Sequence, residues 1–166
     1  MIQPGDRIPA VSLRVLTDEG IDTIETTDVF AGKQMVLFGV PGAFTPTCSA
    51  QHLPSYLKNL DALAEKGIDG VACVAVNDPF VMKNWSDTSG AAGRVTMLPD
   101  GNAELIKAMG LEMDGSGFGL GIRSQRFAAV IKDGVVEYIA VEEPGAYEVS
   151  SAEAILKHMS GETVAA

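Results

Sequence analysis

The chain has 166 residues, 46% hydrophobic and 20% charged, which is the composition of an ordinary globular protein, and we expect a single domain over residues 1–166. Its 22 acidic and 12 basic side chains give a net charge of −10 at pH 7, which disfavours nucleic acid and membrane surfaces as partners. No apolar run approaches the roughly 18–20 residues of a membrane span. The N-terminus lacks the pattern of a secretory signal and there are only two cysteines, so we expect reduced thiols and a cytoplasmic protein.

The first forty residues predict a β-hairpin and a buried strand. Residues 11–15 and 21–26 flank a turn over 17–20 that contains Asp and Gly. Residues 34–40 (QMVLFGV) are nearly all apolar, which is typical of a central strand covered on both faces.

Residues 46–66 predict a long amphipathic helix, because leucines recur there at steps of three and four residues. Thr45 is the expected N-cap, with Pro46 at the first helical position. Pro54 lies inside the pattern, so we expect it to kink the helix or to separate a short first turn.

The rest of the chain predicts alternating strands and helices. In chain order they are a buried strand 70–76, a helix 79–85, a strand 94–98, a helix 103–109, a glycine-rich loop 115–121, a hairpin of strands 126–131 and 135–141, and a helix 152–159 capped by Ser151. This order is mixed α/β. A central strand that leads into a long helix, followed by a late hairpin and a closing helix, indicates a thioredoxin-like fold with a central mixed sheet flanked by helices.

The segment PGAFTPTCS, residues 41–49, is the strongest chemical signal. It places Cys48 in the first helical turn after a buried strand, where unpaired backbone N–H groups and the helix dipole favour a thiolate. Thr45 lies one turn earlier, within reach of the sulfur. The alternative is that Cys48 is a small buried apolar residue, as many free cysteines are.

Other thiol chemistries fit the sequence less well. Cys48 has no partner three residues on, as a thioredoxin-type reductase requires. Position 54 is Pro, where a thiol phosphatase loop would have Arg. His52 lies one turn after Cys48, either polarising the site or forming a structural hydrogen bond at the pocket edge. His158 suits a solvated helix C-terminus.

PGAFTPTCS resembles the peroxidatic motif of peroxiredoxins, Pro-x-x-x-Thr-x-x-Cys, and the chain is similar to the Prx5 subfamily, which includes the plant type II enzymes. Supporting stretches are HLPSYL, GVACVAVNDPFVMKNW, GLGIRSQRFAAVIKDGVV and SSAEAILKHM, which together span nearly the whole chain. The resemblance implies a thiol peroxidase that reduces hydrogen peroxide and small alkyl hydroperoxides, with no metal and no bound cofactor. The same fold would also suit a thiol–disulfide reductase or a redox sensor.

The resemblance also implies roles for individual residues. Cys48 would attack the peroxide and become a sulfenic acid, with Thr45 as a hydrogen-bonding partner and Pro41 as a shield from water. Arg126 would favour the thiolate and hold the peroxide oxygens, and Arg123, three residues earlier, is assigned to the pocket rim or a subunit contact. The expected substrate pocket adds three residues: Thr47, His52 and Leu120.

Recycling of the sulfenic acid depends on Cys73, the second cysteine. Its apolar strand indicates an inert buried thiol, although plant type II relatives have a matching cysteine whose role as a resolving thiol is open. Residues 142–151 contain no cysteine, which excludes a late resolving thiol. The resemblance therefore implies an external reductant, with glutathione and glutaredoxin first and thioredoxin second, and a homodimer.

Overall fold

The computed structural model describes residues 1–161, and residues 162–166 of the predicted domain lie outside this range. The strands are β1 (Ser12–Thr17), β2 (Gly20–Glu25), β3 (Gln34–Gly39), β4 (Gly70–Ala75), β5 (Thr96–Pro99), β6 (Glu112–Asp114), β7 (Ile122–Ser124), β8 (Phe127–Lys132) and β9 (Val135–Val141). The α-helices are α1 (Thr26–Phe30), α2 (Leu53–Glu65), α3 (Pro79–Ser89), α4 (Glu104–Met109) and α5 (Ala152–Met159).

Five strands form one central mixed sheet in the order β5-β4-β3-β8-β9. The pairs β3–β4 and β4–β5 are parallel, whereas β3–β8 and β8–β9 are antiparallel. β1 pairs with β2 in a separate N-terminal hairpin, and β6 pairs with β7 in another. The mixed sheet flanked by helices and the N-terminal hairpin confirm the predicted fold class.

The sheet separates two apolar cores, because side chains alternate between its faces. Val36 and Phe38 of β3 lie in the core that α2, α3 and α5 cover. Met35 and Leu37 lie in the opposite core, against α1 and α4. The nearly continuous apolar sequence of β3 follows from this burial on both faces.

The helical stretch after β3 begins at Pro46, as predicted, but it is not a uniform α-helix. Residues Cys48–His52 form a π-helical turn in which Leu53 N donates to Cys48 O. Pro54 has no N–H to continue the α-helical pattern and its ring crowds the preceding turn, so a wider turn suits this position. The predicted break at Pro54 is therefore present, immediately before α2.

The structure departs from or adds to the predictions at three places. The Thr45 hydroxyl does not cap the helix, because it donates to Gly42 O at 2.7 Å. The segment 115–121 is the connection of an unpredicted β6–β7 hairpin. Residue 26, assigned to a strand, begins the short helix α1, where Thr26 Oγ1 accepts from Val11 N at 2.9 Å.

No helix within residues 1–161 is long and apolar enough to cross a membrane.

Candidate active site

The loop after β3 carries the segment 41–49, and the sheet determines where this loop lies. Gly39 ends β3 beneath the Phe127 ring, where an added Cβ would lie 2.1 Å from a ring carbon. Asn77 Oδ1 accepts from Ala43 N at 2.9 Å, which ties the loop to the segment after β4. Phe44 adopts a left-handed backbone with φ of 65° and is exposed. Such strain in a non-glycine residue is typical of a functional loop.

The thiol of Cys48 is completely buried and contacts a guanidinium. Arg126 Nη2 donates to Cys48 Sγ at 3.2 Å from a position just before β8. A positively charged donor therefore lies in hydrogen-bond contact with the sulfur atom. The structure thus brings together Cys48 and Arg126, which are 78 residues apart in the chain.

His52 orients this guanidinium without neutralising its charge. Arg126 Nη1 lies 2.9 Å from His52 Nδ1, and His52 Nε2 lies 2.9 Å from Ser150 O. Because arginine can only donate, we assign Nδ1 as the acceptor and place the ring proton on Nε2. Burial, followed by the charge of Arg126, lowers the pKa of His52 to about 3, so the ring is neutral. The ring lies behind Arg126 and is completely buried.

Thr45 and the first helical turn supply polar groups beside the thiol. Donation from Thr45 Oγ1 to Gly42 O leaves the hydroxyl lone pairs available as acceptors. Ser49 N donates to Thr45 O at 3.0 Å, which closes the first turn. The N–H groups of Thr47 and Cys48 precede this bond, so the helix supplies them with no acceptor.

Arg123 braces the loop from the β6–β7 hairpin. Its Nη1 donates to Pro41 O at 3.4 Å and its Nε donates to Leu120 O at 3.0 Å. A Cβ added at Gly42 would lie 2.6 Å from Arg123 Nη1, so glycine allows this close approach. Leu120 is half-buried, and its Cβ lies where a side chain on Gly115 would point.

Two aromatic residues that sequence reasoning did not assign to the site hold the π-helical turn. Tyr147 packs edge-on against His52 at 5.3 Å between ring centroids, and its hydroxyl donates to Gln51 O at 3.2 Å. On the opposite side, Trp85 Nε1 donates to Ser49 Oγ at 3.1 Å. Trp85 lies in the stretch GVACVAVNDPFVMKNW, so the resemblance could have assigned it to the site. Tyr147 lies in an irregular segment, and no sequence pattern indicates that it reaches the site.

A cavity of about 290 Å³ adjoins the site. Pro41 and Arg126 form part of its wall, together with Met113, Pro144 and Ala146. Thr47, His52 and Leu120, which the sequence placed in the pocket, do not line this cavity. No cluster of three or more potential metal ligands occurs within the described part of the chain.

Cys73 lies in the central sheet, on the same side as Cys48. It belongs to β4, is completely buried and pairs with Phe38 of β3 and with Met97 of β5. Both cysteines are free thiols. Burial, and then the proximity of Cys48, raise the pKa of Cys73 well above its usual value, so this thiol is a poor nucleophile.

The sequence matches the Redoxin family model over residues 3–156. Peroxiredoxin-2E-2, chloroplastic, from Oryza sativa subsp. japonica is 46% identical over 161 residues, covering 94% of this chain and 72% of the rice protein. Peroxiredoxin-2D from Arabidopsis thaliana is 43% identical, covering 94% of this chain and 97% of its own length.

Solved structures show the same similarity. Reduced Prx3 in complex with H2O2 from Vibrio vulnificus has a TM-score of 0.91 and 50% identity, covering 96% of this chain and 99% of that chain. Peroxiredoxin 5 from Alvinella pompejana has a TM-score of 0.86 and 33% identity, covering 98% of this chain and 100% of its own. This chain therefore shares its fold with these proteins over nearly its whole length.

Proposed function

The chain belongs to the peroxiredoxins, close to the plant type II enzymes, and from this premise we propose how its site reduces peroxides and is recycled. It is a thiol-dependent peroxidase, and Cys48 is its peroxidatic cysteine. The contact of Arg126 Nη2 with Cys48 Sγ at 3.2 Å is the observation that carries the mechanism. A buried cation at the sulfur supplies the thiolate that attacks the peroxide.

The proposed first step is attack of the Cys48 thiolate on the terminal peroxide oxygen. An S–O bond forms, the O–O bond breaks, and the leaving oxygen takes a proton and departs as water or an alcohol. Arg126 stabilises the charge that moves from sulfur to the leaving oxygen, aided by the N–H groups of Thr47 and Cys48. Thr45, which already donates to Gly42 O, accepts a hydrogen bond from the peroxide hydroxyl.

Pro41 and the neighbouring cavity suit the organic part of a hydroperoxide. Pro41 has no N–H to attract water, and its ring forms part of the wall of the 290 Å³ cavity beside Arg126. We propose that hydrogen peroxide and small alkyl hydroperoxides are both substrates. Thr47, through its backbone N–H, and Leu120 stay as proposed pocket residues outside this cavity. His52 is completely buried and would act on the substrate only through Arg126.

We propose that an external thiol reduces the sulfenic acid of Cys48. Cys73 supports this proposal because it is completely buried in the central sheet and its raised pKa makes it a poor resolving nucleophile. Two molecules of glutathione would convert the sulfenic acid to the thiol, yielding water and glutathione disulfide. Glutaredoxin is the favoured catalyst of this step, with thioredoxin as the second candidate.

We also propose a homodimer in a cytoplasmic setting. Phe44 is 52% exposed beside the peroxidatic segment and Phe118 is 89% exposed on the β6–β7 hairpin, so the loops around the site present apolar side chains that a second copy would cover. The two free thiols suit a reducing compartment. Size-exclusion chromatography with light scattering tests the dimer.

The reductant is tested by peroxide turnover with glutathione plus glutaredoxin, and separately with thioredoxin plus its reductase. We expect turnover with the glutathione system, loss of activity in Cys48→Ser, and retention of activity in the matched variant Cys73→Ser. Inactivity of Cys73→Ser with either system would contradict the external reductant and make Cys73 the resolving thiol.

A further inference from the structure

Glu142 is a buried carboxylate immediately after β9, in the wall of the same cavity as Arg126, and the proposed reaction gives its side chain no role. It is 6% exposed, and both ion pairs within residues 1–161 involve Lys83, so no basic side chain neutralises Glu142. Burying an ionised carboxylate is costly unless hydrogen bonds replace its water. Because burial of Glu142 is costly, we expect its carboxylate to make hydrogen bonds that hold a specific part of the structure in place.

Backbone donors from the segment 143–150 replace that water. Glu142 Oε2 accepts from the N–H groups of Glu148, Val149 and Ser150 at 2.8, 2.9 and 3.0 Å. It also accepts from Ser150 Oγ at 2.7 Å, and Oε1 accepts from Glu148 N at 3.0 Å. Five hydrogen bonds thus converge on one carboxylate and fold the segment back onto the end of its own strand.

The folded segment delivers one carbonyl group to the active site. Ser150 O accepts from His52 Nε2 at 2.9 Å and from the Tyr56 hydroxyl at 2.8 Å. The first of these bonds fixes the ring proton on Nε2, and therefore makes Nδ1 the acceptor for Arg126. If Ser150 O moved away, the proton could shift to Nδ1, and this nitrogen would no longer accept from the guanidinium.

We propose that Glu142 is a positioning residue of the peroxidatic site, which acts through Ser150 and His52 to hold Arg126 against the Cys48 sulfur. The inference rests on the proposed role of Arg126. Four hydrogen-bonded steps connect the carboxylate to the sulfur, and each joins buried or half-buried groups. Tyr147 reinforces the same geometry, since its ring lies 5.9 Å from Arg126 Cζ.

A neutral relay suits this task better than a direct carboxylate partner for Arg126. A carboxylate bonded to the guanidinium would compete with the thiolate for its positive charge. The neutral His52 ring fixes the direction of the guanidinium and leaves its charge for the sulfur. The Glu142 backbone N–H donates to Arg126 O at 2.9 Å, but within residues 1–161 its carboxylate bonds only to the segment 148–150 and leaves the guanidinium free.

The test compares Glu142→Gln with Glu148→Gln, an exposed residue of the same segment that undergoes the same change of charge and whose side chain lies outside the wall of the cavity. An amide turns a donor towards Glu148 N and removes the charge that strengthens the four bonds to the remaining oxygen, so it loosens the segment. For Glu142→Gln we expect the second-order rate constant of Cys48 oxidation by hydrogen peroxide to fall about tenfold or more. Glu148→Gln should retain the wild-type rate constant.

The thiolate fraction of Cys48, read from ultraviolet absorbance near neutral pH, separates positioning from simple charge. Removing a negative charge increases the thiolate fraction if only long-range electrostatics operates. Displacement of Arg126 decreases it. We expect a decrease in Glu142→Gln, and an unchanged or increased thiolate fraction in this variant would overturn the proposal.

A double-mutant cycle with Arg126→Ala identifies the route of the effect. In the Arg126→Ala background, Glu142→Gln should lower the rate constant by less than about twofold, since the group it positions is absent. An equal loss in both backgrounds would mean a general structural effect and would refute the proposal. If Arg126→Ala itself oxidises at the wild-type rate, then the proposed role of Arg126 fails instead.

A milder variant covers the case in which Glu142→Gln does not fold. Ser150→Ala removes one hydrogen bond to Glu142 and keeps the carbonyl group that His52 uses. We expect the thiolate fraction and the rate constant to fall in the same direction, by about two- to fivefold in rate. Wild-type values for both quantities would contradict the proposal.

Discussion

The buried neutral ring of His52 predicts that the fold loses stability in mild acid. Burial and Arg126 lower the pKa of His52 to about 3, against 6.5 for a free histidine side chain. Below pH 6.5 His52 is protonated in the unfolded chain but stays neutral in the folded protein. The free energy of unfolding therefore falls as the pH falls. The contribution is complete above the ordinary pKa and is lost progressively towards pH 3.

The size of the effect follows from the two pKa values. Between pH 7 and pH 5, proton uptake by the unfolded chain alone removes about 2 kcal/mol of stability, since each pKa unit corresponds to about 1.4 kcal/mol. Urea unfolding at these two pH values, for wild type and His52→Asn, measures this loss. Asn can accept from Arg126 through its side-chain oxygen but cannot take up a proton. The carboxylates titrate alike in both proteins, so their contribution cancels.

His158→Asn is the matched control, because it removes the other histidine from a ring stack with Tyr138 outside the site. We expect wild type and His158→Asn to lose about 2 kcal/mol more than His52→Asn on acidification. If wild type and His52→Asn lose the same free energy of unfolding on acidification, then His52 is not the source of the pH dependence. A nuclear magnetic resonance titration in which the His52 ring takes up a proton near its ordinary pKa would also contradict the prediction.

Substitutions at three positions test the geometry of the site and the sheet. Arg126→Ala should slow oxidation of Cys48 by about 10²–10³-fold in stopped-flow measurements, the usual cost of removing a donor aimed at developing charge; a change below threefold would contradict its role. Thr45→Val should slow the same step by about tenfold or more while Thr45→Ser retains most of the rate, because only the hydroxyl is used; equal rates for both variants would exclude a role for the hydroxyl. Gly39→Ala should destabilise the fold by about 1–3 kcal/mol in urea unfolding, because its Cβ would overlap the Phe127 ring; wild-type stability would show that this ring moves freely.

Burial explains which elements were predictable from sequence. The strand 135–141 and the helix 152–159 match the structure residue for residue, and β3 and β4 differ from prediction by one residue at their ends. Alternating or continuous apolar patterns record burial directly in the sequence. The predicted N-cap of the final helix is also confirmed, because Ser151 Oγ accepts from Ala154 N at 3.1 Å.

The π-helical turn and the β6–β7 hairpin were not predictable, because neither has a periodic apolar pattern. The hairpin strands are only three residues each, and the Arg123 side chain connects the hairpin to the loop after β3 by donating to Pro41 O. Within the site, the motif identified Cys48 and Thr45 from local spacing alone. The contributions of Glu142 and Tyr147 depend on how an irregular segment folds over the site, and short-range sequence does not specify this.

We infer that peroxide oxidises Cys48 directly and that an external thiol resolves the product. Stopped-flow mixing of the reduced protein with one equivalent of hydrogen peroxide, followed by a sulfenic-acid trap and intact mass, tests both parts. We predict rapid consumption of peroxide and one trapped sulfenic acid at Cys48. Loss of two hydrogens with a Cys48–Cys73 disulfide would contradict the external resolution, and slow consumption or a trap on Cys73 would contradict the assignment of the peroxidatic thiol.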